Sequence, residues 1–134
     1  MTLTKICSTL PTELEELAER VIGMCLKVHT AVGPGMTETV YVRACQVEFE
    51  ANGISYDSEK SVPIRYRNKL ICTQRIDLLI ENQLILEAKA VERISRVHVA
   101  QAVSYLRATG LRLALVINFN VESLRLQGIR RVIL

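Results

Sequence analysis

Apolar residues recur along this chain with two different periods, and the change of period divides it. In "PTELEELAERVIGMCLKVHTAVGPG" the residues Leu14, Leu17, Val21, Cys25 and Val28 form a helical stripe. Thr12 followed by Glu15 has the form of a capping box at its start, and Gly33-Pro34-Gly35 ends it. A second helical pattern runs from Met36 to about Asn52, with Val40, Ala44 and Val47 expected to face inward and Gly53 as its C-terminal stop. From Tyr56 to Leu86 the period becomes two. Within it "VPIRYRNKLI" predicts a hairpin turned at Arg67-Asn68-Lys69, and Glu81-Asn82-Gln83 predicts a second turn, giving three consecutive antiparallel strands. Ser95 opens a third helix that runs to Thr109, with Gly110 after it. "LRLALVIN", Leu111 to Asn118, is a nearly unbroken apolar run that suits a central strand buried on both faces, and Gly128 to Leu134 is compatible with a last strand. With no internal repeat, low-complexity tract or linker, the order α, α, β, β, β, α, β and a final optional β predicts an α/β fold in a single domain over 1–134.

Composition narrows this picture only a little. A chain of 134 residues can bury roughly two-thirds of the surface its unfolded form exposes, so it needs no covalent staples. Seventeen basic against 14 acidic residues give a net charge of +3, which permits contact with a polyanion without resembling a histone-like tail. Cys7, Cys25, Cys45 and Cys72 contain no C-x-x-C pair, and Cys25 and Cys45 sit in helical patterns beside apolar neighbours, so reduced core thiols and no structural metal are expected. One Lys and a broken apolar run before Pro11 do not make a signal peptide, and no run approaches the roughly 20 apolar residues of a membrane span. The expectation is a soluble, cytoplasmic protein.

Chemistry enters at "RIDLLIENQLILEAKA", Arg75 to Ala90, where Asp77, Glu87 and Lys89 interrupt two apolar strands. If Glu81-Asn82-Gln83 is a three-residue loop with Asn82 or Gln83 in the left-handed region, Ile80 faces Leu84 and Asp77 falls opposite Glu87. Alternation then puts Asp77, Glu87 and Lys89 on one face and Ile76, Leu78, Leu84, Leu86 and Ala88 on the other. Two neighbouring carboxylates repel, and a divalent cation such as Mg²⁺, held by both and by the main-chain carbonyl of Ala88, would compensate them. An acidic-x-Lys triplet by itself should arise by chance in roughly one such sequence in two. A cross-strand salt bridge of Asp77 with Lys89, or of Glu87 with Arg75, accounts for the same charges, and the residues alone leave both readings open.

The order helix, three antiparallel strands, helix, strand, with Asp on the second strand and Glu-x-Lys on the third, resembles the restriction-endonuclease-like core (α-β-β-β-α-β) of the PD-(D/E)XK nuclease-like superfamily, here with an extra N-terminal helix. "GMTETVY", which places Gly35, Glu38 and Tyr41 in a G-x-x-E-x-x-Y spacing, resembles the small prokaryotic GxxExxY family, together with "VHTAVGPG", "EAKAVE", "HVAQAVSYLRATG" and "LVINFN". The resemblance runs from about Leu14 onward. It implies a Mg²⁺- or Mn²⁺-dependent phosphodiesterase acting on nucleic acid, DNA before RNA, and the hydropathy pattern predicts no membrane partner. Asp77, Glu87 and the Ala88 carbonyl would be metal ligands, and Lys89 the residue that positions or activates the attacking water. Glu38 would be the first-helix acid brought to the same site, and Gln101 and Tyr105 match a Q-x-x-x-Y pattern of RecB-type exonucleases. A catalytically silent nuclease fold that binds nucleic acid or a protein partner is the alternative. A homodimer is compatible with the sequence.

Each secondary residue also has a plain structural reading. Glu38 lies in a first helical turn, where a carboxylate favours the macrodipole. Gly35 reads as a turn residue, Tyr41 as a packing residue with a bonded hydroxyl, and His29 as a cap or core histidine. Arg93, Arg96, Arg107 and Arg112 read as a solvated face. On the third helix Val99, Ala102, Val103 and Leu106 form the apolar stripe, while His98, Gln101 and Tyr105 fall on a separate line. The nuclease reading requires Gln101 to come within one bridging water of Asp77, Glu87 or Lys89.

Overall fold

The computed structural model describes residues 9–134. Helices α1 (Thr12–Val32) and α2 (Glu38–Ala51) precede strands β1 (Tyr56–Tyr66), β2 (Lys69–Ile80) and β3 (Leu84–Lys89). Helix α3 (Arg96–Thr109), strand β4 (Leu113–Asn118), one π-helical turn at Leu124–Gly128 and strand β5 (Ile129–Ile133) complete the order. The strands lie side by side as β1-β2-β3-β4-β5, antiparallel throughout except β3 and β4. Parallel neighbours need a long crossover, and α3 supplies it.

The sheet separates two cores. On one face Leu14, Leu17, Val21, Cys25 and Val28 of α1 and Tyr41, Cys45 and Phe49 of α2 pack on Leu78, Leu84, Leu86, Leu115 and Ile117. On the other, Ala102, Tyr105 and Leu106 of α3 pack on Ile85, Ala114 and Val116. All six residues of β4 are buried, as its unbroken apolar run requires. No helix among the described residues is long and apolar enough to cross a membrane.

Local expectations fail where a distant partner outweighs a local pattern. Pro11, not Thr12, is the N-cap of α1, and no side chain caps it. The Pro11 carbonyl accepts from Leu14 and Glu15 N–H, both at 3.1 Å, so Thr12 lies inside the helix and the predicted capping box does not form. Helix α2 starts at Glu38 rather than Met36 and turns Tyr41, Cys45 and Phe49 inward, leaving Val40 38% and Val47 68% exposed and Ala44 half-buried. Tyr41 decides that rotation. Its ring stacks on Phe119 at 4.6 Å, and its hydroxyl donates to Gly33 O at 2.6 Å and accepts from Met36 N–H at 3.1 Å. Lys69 pairs with Tyr66 inside the ladder, so the first hairpin turns on Arg67 and Asn68 alone, both at positive φ. Helix α3 has a reciprocal cap: Ser95 Oγ accepts from His98 N–H at 3.4 Å, and His98 Nδ1 accepts from Ser95 N–H at 3.0 Å. His29 is a core histidine whose Nε2 lies 2.7 Å from Val121 O. The thiols of Cys25 and Cys45 meet at 3.9 Å in the core, Cys72 is exposed, and Cys7 lies outside the described residues.

Candidate active site

Strands β2 and β3 keep antiparallel register for three pairs, Ile80↔Leu84, Leu79↔Ile85 and Leu78↔Leu86. The turn between them holds Glu81 and Asn82 at φ 52° and 56°, with Gln83 N–H donating to Ile80 O at 2.9 Å. Asn82 is left-handed as expected, and Glu81 joins it in place of Gln83. Register then brings Asp77 opposite Glu87, where the main-chain ladder stops and side chains take over. Asp77 N–H donates to Glu87 Oε2 at 2.8 Å, and Ala88 N–H donates to Asp77 Oδ2 at 2.9 Å.

At the same level β2 also loses a partner on its other side. Ser58↔Leu78 and Lys60↔Ile76 pair regularly, but between them Glu59 takes φ 54°, and its pairing with Asp77 is lost. A non-glycine residue in that region is strained, and such strain collects at functional sites. The alternation of faces breaks at the same point. Leu78 packs with α1 and α2 as expected, whereas Ile76 joins the core on the α3 side, which corrects its predicted place beside Leu78. Regular alternation requires an undistorted strand, and β2 is not one at Asp77.

Burial and like charge dominate the electrostatics. Glu87 is 4% exposed, and burial followed by the Asp77 charge pushes its carboxyl from 4.5 up to about 8, against the opposing pull of the Asp77 N–H and Lys89. Burial also raises Asp77, opposed by the Ala88 N–H and Lys89, with Glu38 and Glu59 adding to the rise. Lys89 reaches α3, where its Nζ donates to Gln101 Oε1 at 3.2 Å. Gln101 thus touches one of the three charged residues directly, closer than the bridging water that the sequence argument allowed. Tyr105 is buried at 3% exposure, so it belongs to the packed face of α3 and not to a line apart from packing. Burial, then Glu87 and Asp77, raise its hydroxyl. His98 serves the helix cap.

Glu38, at the first residue of α2, is exposed and reaches the pair through its charge, which raises both carboxyls. It lines a groove of about 440 Å³ between α2 and the β1–β2 hairpin, together with Arg43, Ser58, Arg75 and Asp77. Among the described residues no three His, Cys, Asp or Glu side chains converge as a metal-binding group, so Asp77 and Glu87 stand as a pair. Neither salt bridge that the sequence left open forms: Arg75 pairs with Glu59 at 2.9 Å, and Lys89 bonds Gln101. Arg112 ties the C-terminus, donating to Leu134 O and to Thr9 Oγ1. Asn118 was missed. Wholly buried, it accepts from Val91 N–H at 3.1 Å and donates to Val91 O at 2.8 Å, fixing the chain just past Lys89. Its signals were an Asn ending an apolar strand and its place in "LVINFN", to which no role had been given.

A model of the PD-(D/E)XK nuclease superfamily matches residues 15–132. This chain belongs to the PD-(D/E)XK nuclease superfamily. No curated protein and no solved structure gave a significant match. PD-(D/E)XK nucleases generally use divalent metals, and the donors at this site suit one. Each carboxylate is oriented by a main-chain N–H on one oxygen and keeps a second, and both are hard oxygen donors of the kind Mg²⁺ prefers. N–H and C=O of one strand residue leave by the same edge, so the Ala88 carbonyl also faces Asp77.

Proposed function

We propose that this PD-(D/E)XK protein is a Mg²⁺- or Mn²⁺-dependent phosphodiesterase of the GxxExxY type that cleaves nucleic acid. The observation that carries the reading is the pair of buried Glu87 and half-buried Asp77, two carboxylates oriented by main-chain donors where the strands part. Such a pair is costly with only the Lys89 charge to offset it, and among the described residues neither carboxylate is in an ion pair. Asp77, Glu87 and the Ala88 carbonyl would hold the metal, which when bound supplies charge against the phosphoryl oxygens and acidifies water.

The remaining work belongs to the chain's own groups. Lys89 presents an ammonium beside the pair, held by Gln101, and stabilises the negative charge that grows on the phosphoryl group. Gln101 is a positioning residue, since it acts through Lys89. Tyr105, buried behind the pair with its phenol kept protonated, walls the site from bulk water. Glu38 guards the open side, where its charge tunes both carboxyls.

The test is cleavage of labelled DNA and RNA with Mn²⁺, Mg²⁺ or EDTA, by the parent and by Asp77→Asn. Metal-dependent cleavage that the substitution removes is expected. Equal cleavage by both would discard the assignment, and nucleic-acid binding with no cleavage by the parent would leave a catalytically silent module.

A further inference from the structure

Past Val62, which is buried in the α3-side core, the β1–β2 hairpin leaves the body of the protein. Every residue of β2 from Lys69 to Arg75 is exposed, and of the facing stretch of β1 only Val62 is buried and Ile64 half-buried. The segment 60–75 carries Lys60, Arg65, Arg67, Lys69 and Arg75 and no acidic residue. It holds five of the chain's 17 cations and none of its 14 acids, so the rest of the chain has 12 against 14 and is net acidic. Arg75 is paired with Glu59 at the base, whereas no ion pair among the described residues involves Lys60, Arg65, Arg67 or Lys69. Self-repelling charge placed on a projecting ribbon, away from the acids that could neutralise it, calls for an external polyanion.

We propose that this ribbon is an arm that binds the phosphate backbone of double-stranded nucleic acid and leads the duplex to Asp77 and Glu87. The inference deepens the phosphodiesterase reading and rests on it for the substrate class. Eight residues separate Lys69 from Asp77 along β2, about 26 Å at 3.3 Å per strand residue. That distance is most of one duplex turn, and a two-stranded ribbon fits a major groove. A single strand would call for successive aromatic platforms, and the arm offers one exposed ring, Tyr66. A second copy of this chain fits poorly, because a twofold contact would face four unpaired cations with four more. Pro63 also withholds a donor from the free edge of β1.

The test is binding of a labelled 20-base-pair duplex in EDTA, by fluorescence anisotropy, across a salt series. It compares the parent with the triple variant R65S/R67S/K69S and with the charge-keeping variant R65K/R67K/K69R. The three positions are exposed, and thermal melting checks that both variants fold. The serine variant should bind at least tenfold more weakly, with a log–log salt slope shallower by about 2 to 3, and the charge-keeping variant should match the parent. Equal affinity and slope in the serine variant would overturn the arm, as would an equal or larger loss on a 20-nucleotide single strand. Binding to neither by the parent overturns it too and points to an acidic protein partner. Parent cleavage of the same duplex in Mn²⁺ separates the two claims: arm-dependent binding without cleavage sinks the phosphodiesterase reading and keeps the arm, and cleavage indifferent to the arm does the reverse.

Discussion

A carboxyl group held near 8 by burial makes the stability of the metal-free protein depend on pH in an unusual direction. Glu87 has its folded value above the ordinary 4.5, so between those values the folded chain keeps a proton that the unfolded chain has released. Stability is therefore lost as pH rises from about 4.5 to about 8, and Asp77, shifted the same way, adds to the loss. The melting temperature in EDTA should fall by several degrees over that window, and Glu87→Gln should flatten the fall. Parallel curves for parent and variant would show that Glu87 is an ordinary carboxylate. For the same reason Asp77→Asn and Glu87→Gln should abolish metal-dependent cleavage while leaving the metal-free fold at least as stable, as thermal melting would show. If both unfold, the pair was holding the strands together. Lys89→Ala should keep metal binding and lower turnover about 10²–10³-fold, with Lys89→Arg a poor rescue because a planar fork does not replace a compact point charge. Unchanged single-turnover rates would make Lys89 a bystander.

Among the elements, the site depends on how β2 and β3 part and on how the chain is gripped beyond β3. Asn118, at the end of β4, clamps Val91, and the π-helical turn that follows packs against the same strand end. Gly128 closes that turn where no side chain fits: a Cβ would lie 2.4 Å from Asn118 O and 2.6 Å from Leu124 Cδ1. Gly128→Ala must therefore displace β4 or the turn, and should cost about 1–3 kcal/mol in urea unfolding. A midpoint unchanged from the parent would mean that the turn yields freely. The Glu81-Asn82 turn was readable because loop length sets register, so the Asp77–Glu87 pairing followed from three residues of sequence. The break in alternation at Ile76 was not readable, since it arises from Glu59 on the neighbouring strand.

For the whole molecule, a site occupied only in the folded state couples metal to global stability. Mn²⁺ at 100 times its dissociation constant should stabilise the protein by about 2.7 kcal/mol, and EDTA should reverse the gain. An Asp77→Asn, Glu87→Gln double variant should show no such shift, and an equal shift in that variant would place the ion elsewhere. The sequence by itself determined the order of elements, the buried central strand Leu113–Asn118 and the facing of the two carboxylates, because periodicity and loop length act over a few residues. Tertiary structure alone decided which stripe of α2 turns inward, through Tyr41 stacking on a phenylalanine from beyond β4. It also decided the splay of β2 at Asp77, the hold of Gln101 on Lys89 and the clamp of Asn118 on Val91. Each of these joins residues far apart in the chain, and local propensity does not encode which distant group a side chain will meet.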